Sequence, residues 1–325
     1  MKKAIFIVIV LTVTNSFGQK IKHSHFSIVP SIATDGEESK NLDYNFSFNL
    51  FVSNVRSIEG FEIGSFYNRN ELKMDGFQIS GILNITKDSV SGYQIAGISN
   101  ISGPVIGLQQ SGINNYSKNV RGVQLAGITN IADDVAGVQV SGILNKAKVI
   151  SGLQIGLINV ADSVKKGGSI GLINVVRKNG YREVEFSTSD YQNIGVSYKS
   201  GTKHLYSILT VGYNYFDSPL QIAGLGLGGA FAISRVWYLK PEVVAYNYTD
   251  NPFDSEKSAN AYHIRFGLMR KFGKVGITIM PSVYYAKTER NTDGAMLAIS
   301  SIKSLPKNKI AGFGFGLGIG IALLK

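Results

Sequence analysis

The chain has 325 residues, a formal charge of +11, 37 glycines, 16 tyrosines and no cysteine. Lacking cysteine, it has no disulfide framework, no thiolate metal site and no cysteine nucleophile. Glycine without a Gly-X-Y period, together with only 7 prolines, excludes a collagen-like or proline-rich disordered chain, and charged residues at 17% exclude a disordered polyelectrolyte.

Residues 1–18 are laid out as a secretory signal peptide. Met1-Lys2-Lys3 is basic, residues 4–13 are apolar, and Ser16 and Gly18 place small side chains before a cleavage point. The apolar run is too short to cross a bilayer as a helix, which takes about 20 residues. Export without disulfides or a helical anchor points to a Gram-negative cell envelope, with 19–325 as the mature chain. Further along, Tyr44, Phe46, Phe48, Leu50 and Val52 alternate with Asn45, Ser47, Asn49, Phe51 and Ser53, which predicts a strand.

A glycine-led unit then recurs over residues 76–176. Its starting glycines are Gly76, Gly92, Gly107, Gly122, Gly137, Gly152 and Gly167, in steps of 15 or 16 residues. The unit carries Gln78, Gln94, Gln109, Gln124, Gln139 and Gln154. Its other polar column is Asn84, Asn100, Asn115, Asn130, Asn145, Asn159 and Asn174. Alternation within a unit has period two, so each unit reads as a strand followed by a turn such as Lys87-Asp88-Ser89. The last two copies lose one residue before their Asn, which predicts that Asn159 and Asn174 change faces relative to Asn130. The motif Gly-x-Gln-x-x-Gly-x-x-Asn resembles a family of tandem surface-repeat proteins of Gram-negative bacteria. That resemblance implies an exported envelope protein and brings no catalytic or binding residues with it.

After the repeats the alternation sharpens. Leu209, Val211 and Tyr213 share a face, as do Leu225, Leu227 and Phe231, and Val275, Ile277 and Ile279. Finally Phe313, Phe315, Leu317, Ile319, Ile321 and Leu323 alternate with glycines and Ala322. Ten-residue segments with one apolar and one polar or small face are the signature of a transmembrane β-barrel, since only a sheet with no free edge satisfies its backbone in lipid. Tyr213, Tyr215, Trp237, Tyr246, Tyr248, Tyr284 and Tyr285 are candidates for an interfacial aromatic girdle. Long connections at 249–258 and 288–309 alternate with short ones, as a barrel with a periplasmic and an extracellular side requires.

Two all-β architectures follow. The first is one antiparallel transmembrane β-barrel of roughly 16–18 strands spanning 19–325, with the repeats among its strands and about eight strands after them. The alternative is a β-solenoid over 76–176 joined to a smaller barrel, which explains directly why the period is one unit rather than two. A solenoid core would then draw on Val123, Leu125, Ile128 and Ile131. The continuous barrel is the expectation carried forward.

Catalytic signals are weak. His23 and His25 lack a third ligand and read as a solvated tail. Gly224-Leu-Gly-Leu-Gly-Gly229 lacks the helix and acidic residue of a dinucleotide site. No cofactor, metal site or nucleic-acid partner is expected, and the chain reads as non-enzymatic. Lys240, Glu242, His263, Arg265 and Lys271 fall on inward positions of predicted strands. In a wide barrel they would line a weakly anion-preferring lumen. The expectation is therefore an outer-membrane β-barrel in contact with lipid, either a passive pore for small solutes or a structural surface protein. Its counterpart is a secreted or surface-attached solenoid acting as a binding or adhesion module.

Overall fold

In the computed structural model the described residues are 23–215, 220–249, 258–288 and 311–324. The 1–18 segment and most of the 249–258 and 288–309 connections lie outside them. Parallel strands build the first half of the chain and antiparallel strands the second.

Residues 23–178 form a β-solenoid. Each coil runs along a longer strand, turns at a tip, returns along a shorter strand and closes through a polar turn. One such coil is Met74–Ser80, the tip Gly81-Ile82, Leu83–Thr86 and the turn Lys87-Asp88-Ser89. Like residues stack: Gly107 pairs with Gly122, Gln109 with Gln124 and Asn115 with Asn130, all in parallel register. The glycine that opens each unit is required by this stacking. Gly107 has φ 134°, and a Cβ there would overlap the carbonyl of Gly92 in the coil before.

Residues from Tyr181 onward close an eight-stranded antiparallel barrel. Its strands are Tyr181–Ser189, Ile194–Gly201, Tyr206–Asn214, Leu220–Gly228, Trp237–Thr249, Ser258–Phe272, Val275–Thr288 and Ala311–Leu324. The first pairs with the last, with Phe186 opposite Ile321, so no sheet edge is left open. One end of the barrel, the short-turn end, carries the turns at 202–205 and 273–274 together with Tyr181 and Leu324. Outward side chains are mainly apolar, with Val211 55% exposed, Val243 56% and Phe313 79%, and polar ones such as Arg270 and Lys287 stand near strand ends.

The solenoid-plus-smaller-barrel architecture is thus the one the chain adopts, and the eight strands after the repeats are the barrel strands. Eight strands, rather than 16–18, close the ring, because the repeats pair in parallel and an up-and-down barrel needs antiparallel neighbours. The strand at residues 44–53 belongs to the solenoid, where Asp43–Asn49 pairs in parallel with Ser57–Gly64. Asn159 and Asn174 do not change faces: Asn145 pairs with Asn159 and Asn159 with Asn174, all buried. The missing residue is absorbed at the tip, where Gly156 takes the space that Ser141-Gly142 fill one coil earlier.

The solenoid interior is also inverted relative to the sequence expectation. Val123, Leu125 and Ile131 are only partly buried and Ile128 is exposed, while Gln124 and Asn130 are fully buried. Alternation defines two faces without saying which is inside. Here hydrogen bonding between rungs decides it in favour of the amides.

Candidate functional site

Three features concentrate the polar chemistry of the molecule: two amide ladders in the solenoid, an ion-pair cluster in the barrel, and the junction where the two units meet.

In the first ladder each glutamine Nε2 donates to the Oε1 of the glutamine one coil earlier. The bonds run from Gln154 to Gln139 at 2.9 Å, Gln139 to Gln124 at 2.8 Å, Gln124 to Gln109 at 2.9 Å, Gln109 to Gln94 at 2.7 Å and Gln94 to Gln78 at 2.7 Å. The series ends when Gln78 donates to the Glu62 carboxylate at 2.7 Å. Glu62 is fully buried and also accepts from Ser53 at 2.7 Å and Asn49 at 3.2 Å. Burial raises its carboxyl above the ordinary 4.5, with those hydrogen bonds opposing the shift.

The asparagine ladder runs the other way. Each Nδ2 donates forward, from Asn84 to Asn100 at 2.9 Å, Asn100 to Asn115 at 2.9 Å, Asn115 to Asn130 at 3.0 Å, Asn130 to Asn145 at 3.0 Å, Asn145 to Asn159 at 2.9 Å and Asn159 to Asn174 at 2.9 Å. The second amide hydrogen reaches a backbone carbonyl beside the next tip, as Asn115 does at Leu125 O, 2.7 Å away. Asparagine is therefore fixed by the turn it serves, and glutamine by the span between rungs.

Glu62 was not legible as a ladder residue, although a signal existed. Gly60 and Asn68 stand 16 residues before Gly76 and Asn84, and Glu62 pairs with Gln78. Residues 60–68 are a degenerate repeat with glutamate in the glutamine position.

Inside the barrel, Lys240, Glu242, His263 and Arg265 are buried, as their inward positions require. Lys271 is half-buried at the short-turn end, beside a cleft of about 250 Å³ shared with Tyr181 and Met269. Sequence reasoning missed their partners Glu183, Glu185 and Lys199, which occupy alternate positions of Tyr181–Ser189 and Ile194–Gly201. Lys199 Nζ donates to Glu242 at 2.7 Å and Glu185 at 3.0 Å; Lys240 Nζ donates to Glu183 at 2.6 Å and Glu185 at 3.2 Å; Arg265 Nη2 donates to Glu242 at 2.5 Å. The carboxylates of Glu183, Glu185 and Glu242 thus balance the cations of Lys199, Lys240 and Arg265. Tyr206 adds a hydroxyl donor to Glu242 at 2.7 Å.

Deeper in, His263 lies among the rings of Tyr191, Tyr246 and Tyr284, with centroids 4.4, 5.0 and 4.7 Å away. Tyr246, Tyr248 and Tyr284 therefore belong to the interior and not to an aromatic girdle, because inward parity places them there; Arg265 Nη1 donates to the Tyr246 hydroxyl at 2.9 Å. Tyr213, Tyr215 and Trp237 do face outward. The glycines of 224–229 make room for this filling: a Cβ at Gly224 would sit 2.8 Å from the Tyr246 ring. An eight-stranded interior is just wide enough for side chains to fill, so the wide lumen expected of more strands is not formed.

His25 is buried in the first coils with its ring 4.8 Å from Tyr44, and is no solvated tail. Desolvation lowers its pKa, an effect partly opposed by the charge of Asp35.

At the junction, the last coil packs on the outer wall of the barrel. Asn174 Nδ2 donates to Ser207 Oγ at 2.9 Å and to Ser200 O at 3.3 Å, and Gly171 N donates to Ser207 Oγ at 3.2 Å. Ser207 has the outward parity of Leu209 and Val211, yet is buried by the coil covering it. The tip residues Leu157 and Leu172 and the wall residues Leu225 and Leu227 line a cleft of about 420 Å³ there. No family model, curated protein or solved structure matches the chain.

Proposed function

We propose that this chain is a non-enzymatic outer-membrane protein with a structural role, in which the barrel anchors a β-solenoid at the envelope surface. The observation that carries this reading is the polarity of the barrel. Its closed wall presents apolar side chains outward on every strand, with exposed charges such as Arg270 and Lys287 confined to strand ends, while Glu183, Glu185, Glu242, Lys199, Lys240 and Arg265 pair with one another inside. A water-soluble protein of this size gains nothing from that inversion, whereas lipid demands both an apolar exterior and a backbone with no open edge. The filled interior favours an anchor over a passive pore. The resemblance of the repeats to envelope surface-repeat proteins and the signal-like residues 1–18 support the same location.

Fractionation tests this reading. The mature chain is expected in the outer-membrane fraction, monodisperse only in detergent, with its gel migration changing on boiling as the barrel opens. A chain that stays monodisperse in detergent-free buffer overturns the reading. That result would favour the second one, a secreted solenoid that binds a partner through its exposed apolar tip residues.

A further inference from the structure

The solenoid buries its two amide ladders beside an apolar column that includes Val90, Val105, Val120 and Val135, and still shows apolar side chains outside at its tips. Its tips align into a continuous ridge from Phe51 through Ile98, Ile113 and Ile128 to Leu157 and Leu172, every one exposed. Successive tips are hydrogen-bonded to each other, Ile113 N to Ile98 O at 3.0 Å and Ile128 N to Ile113 O at 3.1 Å. At about 4.8 Å per rung the ridge is about 40 Å long. The opposite edge carries charges at most coils, many of them paired: Arg69 with Glu71 at 2.7 Å, Lys73 with Glu59 at 3.0 Å, Lys148 with Asp133 at 3.0 Å and Arg177 with Asp162 at 3.1 Å.

The junction fixes how this amphipathic stack is presented. Coils stack along the solenoid axis, and the end face of the last coil is bonded to Ser200 and Ser207 on the barrel's side wall. The stack therefore projects sideways from the wall. Within the last coil, the strand Ile173–Lys178 runs from the tip to the charged edge, and the chain then enters Tyr181 at the short-turn end of the barrel. The charged edge thus sits level with that aqueous end. The tip residues Leu157 and Leu172 sit against Leu225 and Leu227, further along the wall and within its apolar surface.

We propose that the apolar ridge of the solenoid is immersed in the acyl chains of the membrane leaflet at the short-turn end of the barrel, with the charged edge in the headgroup and aqueous layer. This rests on the reading of the barrel as a membrane span. The occupant of the ridge is lipid because the ridge is continuous with the barrel wall that lipid covers, and because the stack leaves that wall sideways at the same depth. The solenoid behaves as an amphipathic helix does at an interface, with its apolar side buried and its ion pairs facing water.

Because the chain has no cysteine, single introduced cysteines report on each surface. Ile98→Cys and Ile128→Cys probe the ridge, Val243→Cys and Ile277→Cys the barrel wall, and Lys118→Cys and Lys148→Cys the charged edge. Each full-length variant carries an environment-sensitive fluorophore and is reconstituted in phosphatidylethanolamine–phosphatidylglycerol vesicles whose acyl chains are brominated. The proposal expects ridge and wall probes alike to shift to the blue and lose intensity to the bromines, while edge probes lose intensity only to aqueous iodide. Quenched wall probes with ridge probes open to iodide overturn the proposal and leave the membrane span standing. Wall and ridge probes both open to iodide overturn the span and the proposal together. All six positions are exposed and each surface has two, so one poorly folding variant does not remove a surface from the comparison.

Discussion

Two adjacent glutamines offer a sharp test of the inverted solenoid. Gln109 is buried: its Nε2 donates to Gln94 Oε1 at 2.7 Å and Ser102 Oγ at 2.9 Å, and its Oε1 accepts from Gln124 Nε2 at 2.9 Å. Gln110 faces outward and is exposed. Gln109→Leu keeps the volume and removes the rung. It leaves Gln94 Oε1 without its donor and one Gln124 hydrogen without its acceptor; Ser102 Oγ retains its bond to Gly103 O at 3.2 Å. Two buried polar groups left unpaired cost about 1–3 kcal/mol each, and the added apolar burial of leucine offsets part of that. A net loss of about 2–4 kcal/mol is expected, or roughly 30-fold to 1000-fold in the local opening equilibrium at tenfold per 1.4 kcal/mol.

Hydrogen–deuterium exchange of the full-length protein in detergent micelles reads this loss at the amides of residues 90–131, because exchange reports local opening coil by coil. Exchange there should accelerate by that factor in Gln109→Leu and stay close to the parent rate in Gln110→Leu. Equal exchange in the two variants, or greater protection in Gln109→Leu, would refute the claim that hydrogen-bonded rungs hold the solenoid interior.

Two further outcomes follow from the buried charges. Lys240→Met removes one cation from the barrel cluster, leaving Lys199 to serve Glu183 and Glu185. An uncompensated buried carboxylate costs about 3–5 kcal/mol, so the gel-shift transition on heating should move to lower temperature while Lys203→Met, on the exposed turn, leaves it in place. Glu62 gives a pH signature. Its folded pKa lies above the ordinary 4.5 because of burial, so its stabilising contribution is fully present below 4.5 and is lost as pH rises through the folded value. Exchange protection of residues 45–80, corrected for intrinsic rates, should fall as pH rises above 4.5. Glu62→Gln, which still offers Gln78 an acceptor, should flatten that fall and raise protection at the upper end. A parent protein whose protection rises with pH contradicts the assignment.

Much of this structure was legible in the sequence because period-two alternation and a fixed repeat length are direct consequences of strand geometry and stacking. The eight barrel strands could be read from rows such as Phe313, Phe315 and Leu317, since a lipid-facing wall and a small-residue interior leave opposite marks on alternate positions. The single-unit period pointed to stacked coils. What alternation could not supply was the sign of each face. Gln124 and Val123 differ only in parity, and whether the amide or the valine turns inward depends on whether amides one coil apart can bond. Nor could it bound the solenoid: residues 23–75 keep the coil but replace the motif with Glu62, Phe61 and Tyr44. Lys199 and Glu185 were missed for a related reason, since their pairing is a matter of barrel closure between strands distant in sequence.

The two ladders also explain how so polar an interior is held without building up a large dipole. Glutamine amides all donate toward the N-terminal coils and asparagine amides all donate toward the barrel. Their dipoles oppose one another rung by rung, so lengthening the stack adds hydrogen bonds without adding net polarity. Each series must still end on a group that completes it. The Glu62 carboxyl accepts the last glutamine hydrogen, and Ser207 and the Ser200 carbonyl on the barrel wall accept the last asparagine hydrogens. The barrel is thus the C-terminal cap of the solenoid: it covers the open strand edge and terminates the forward ladder. That is the physical reason the repeats lead into the barrel through only Asn179 and Gly180, with φ 60° at Asn179 making the sharp change of direction between the two units.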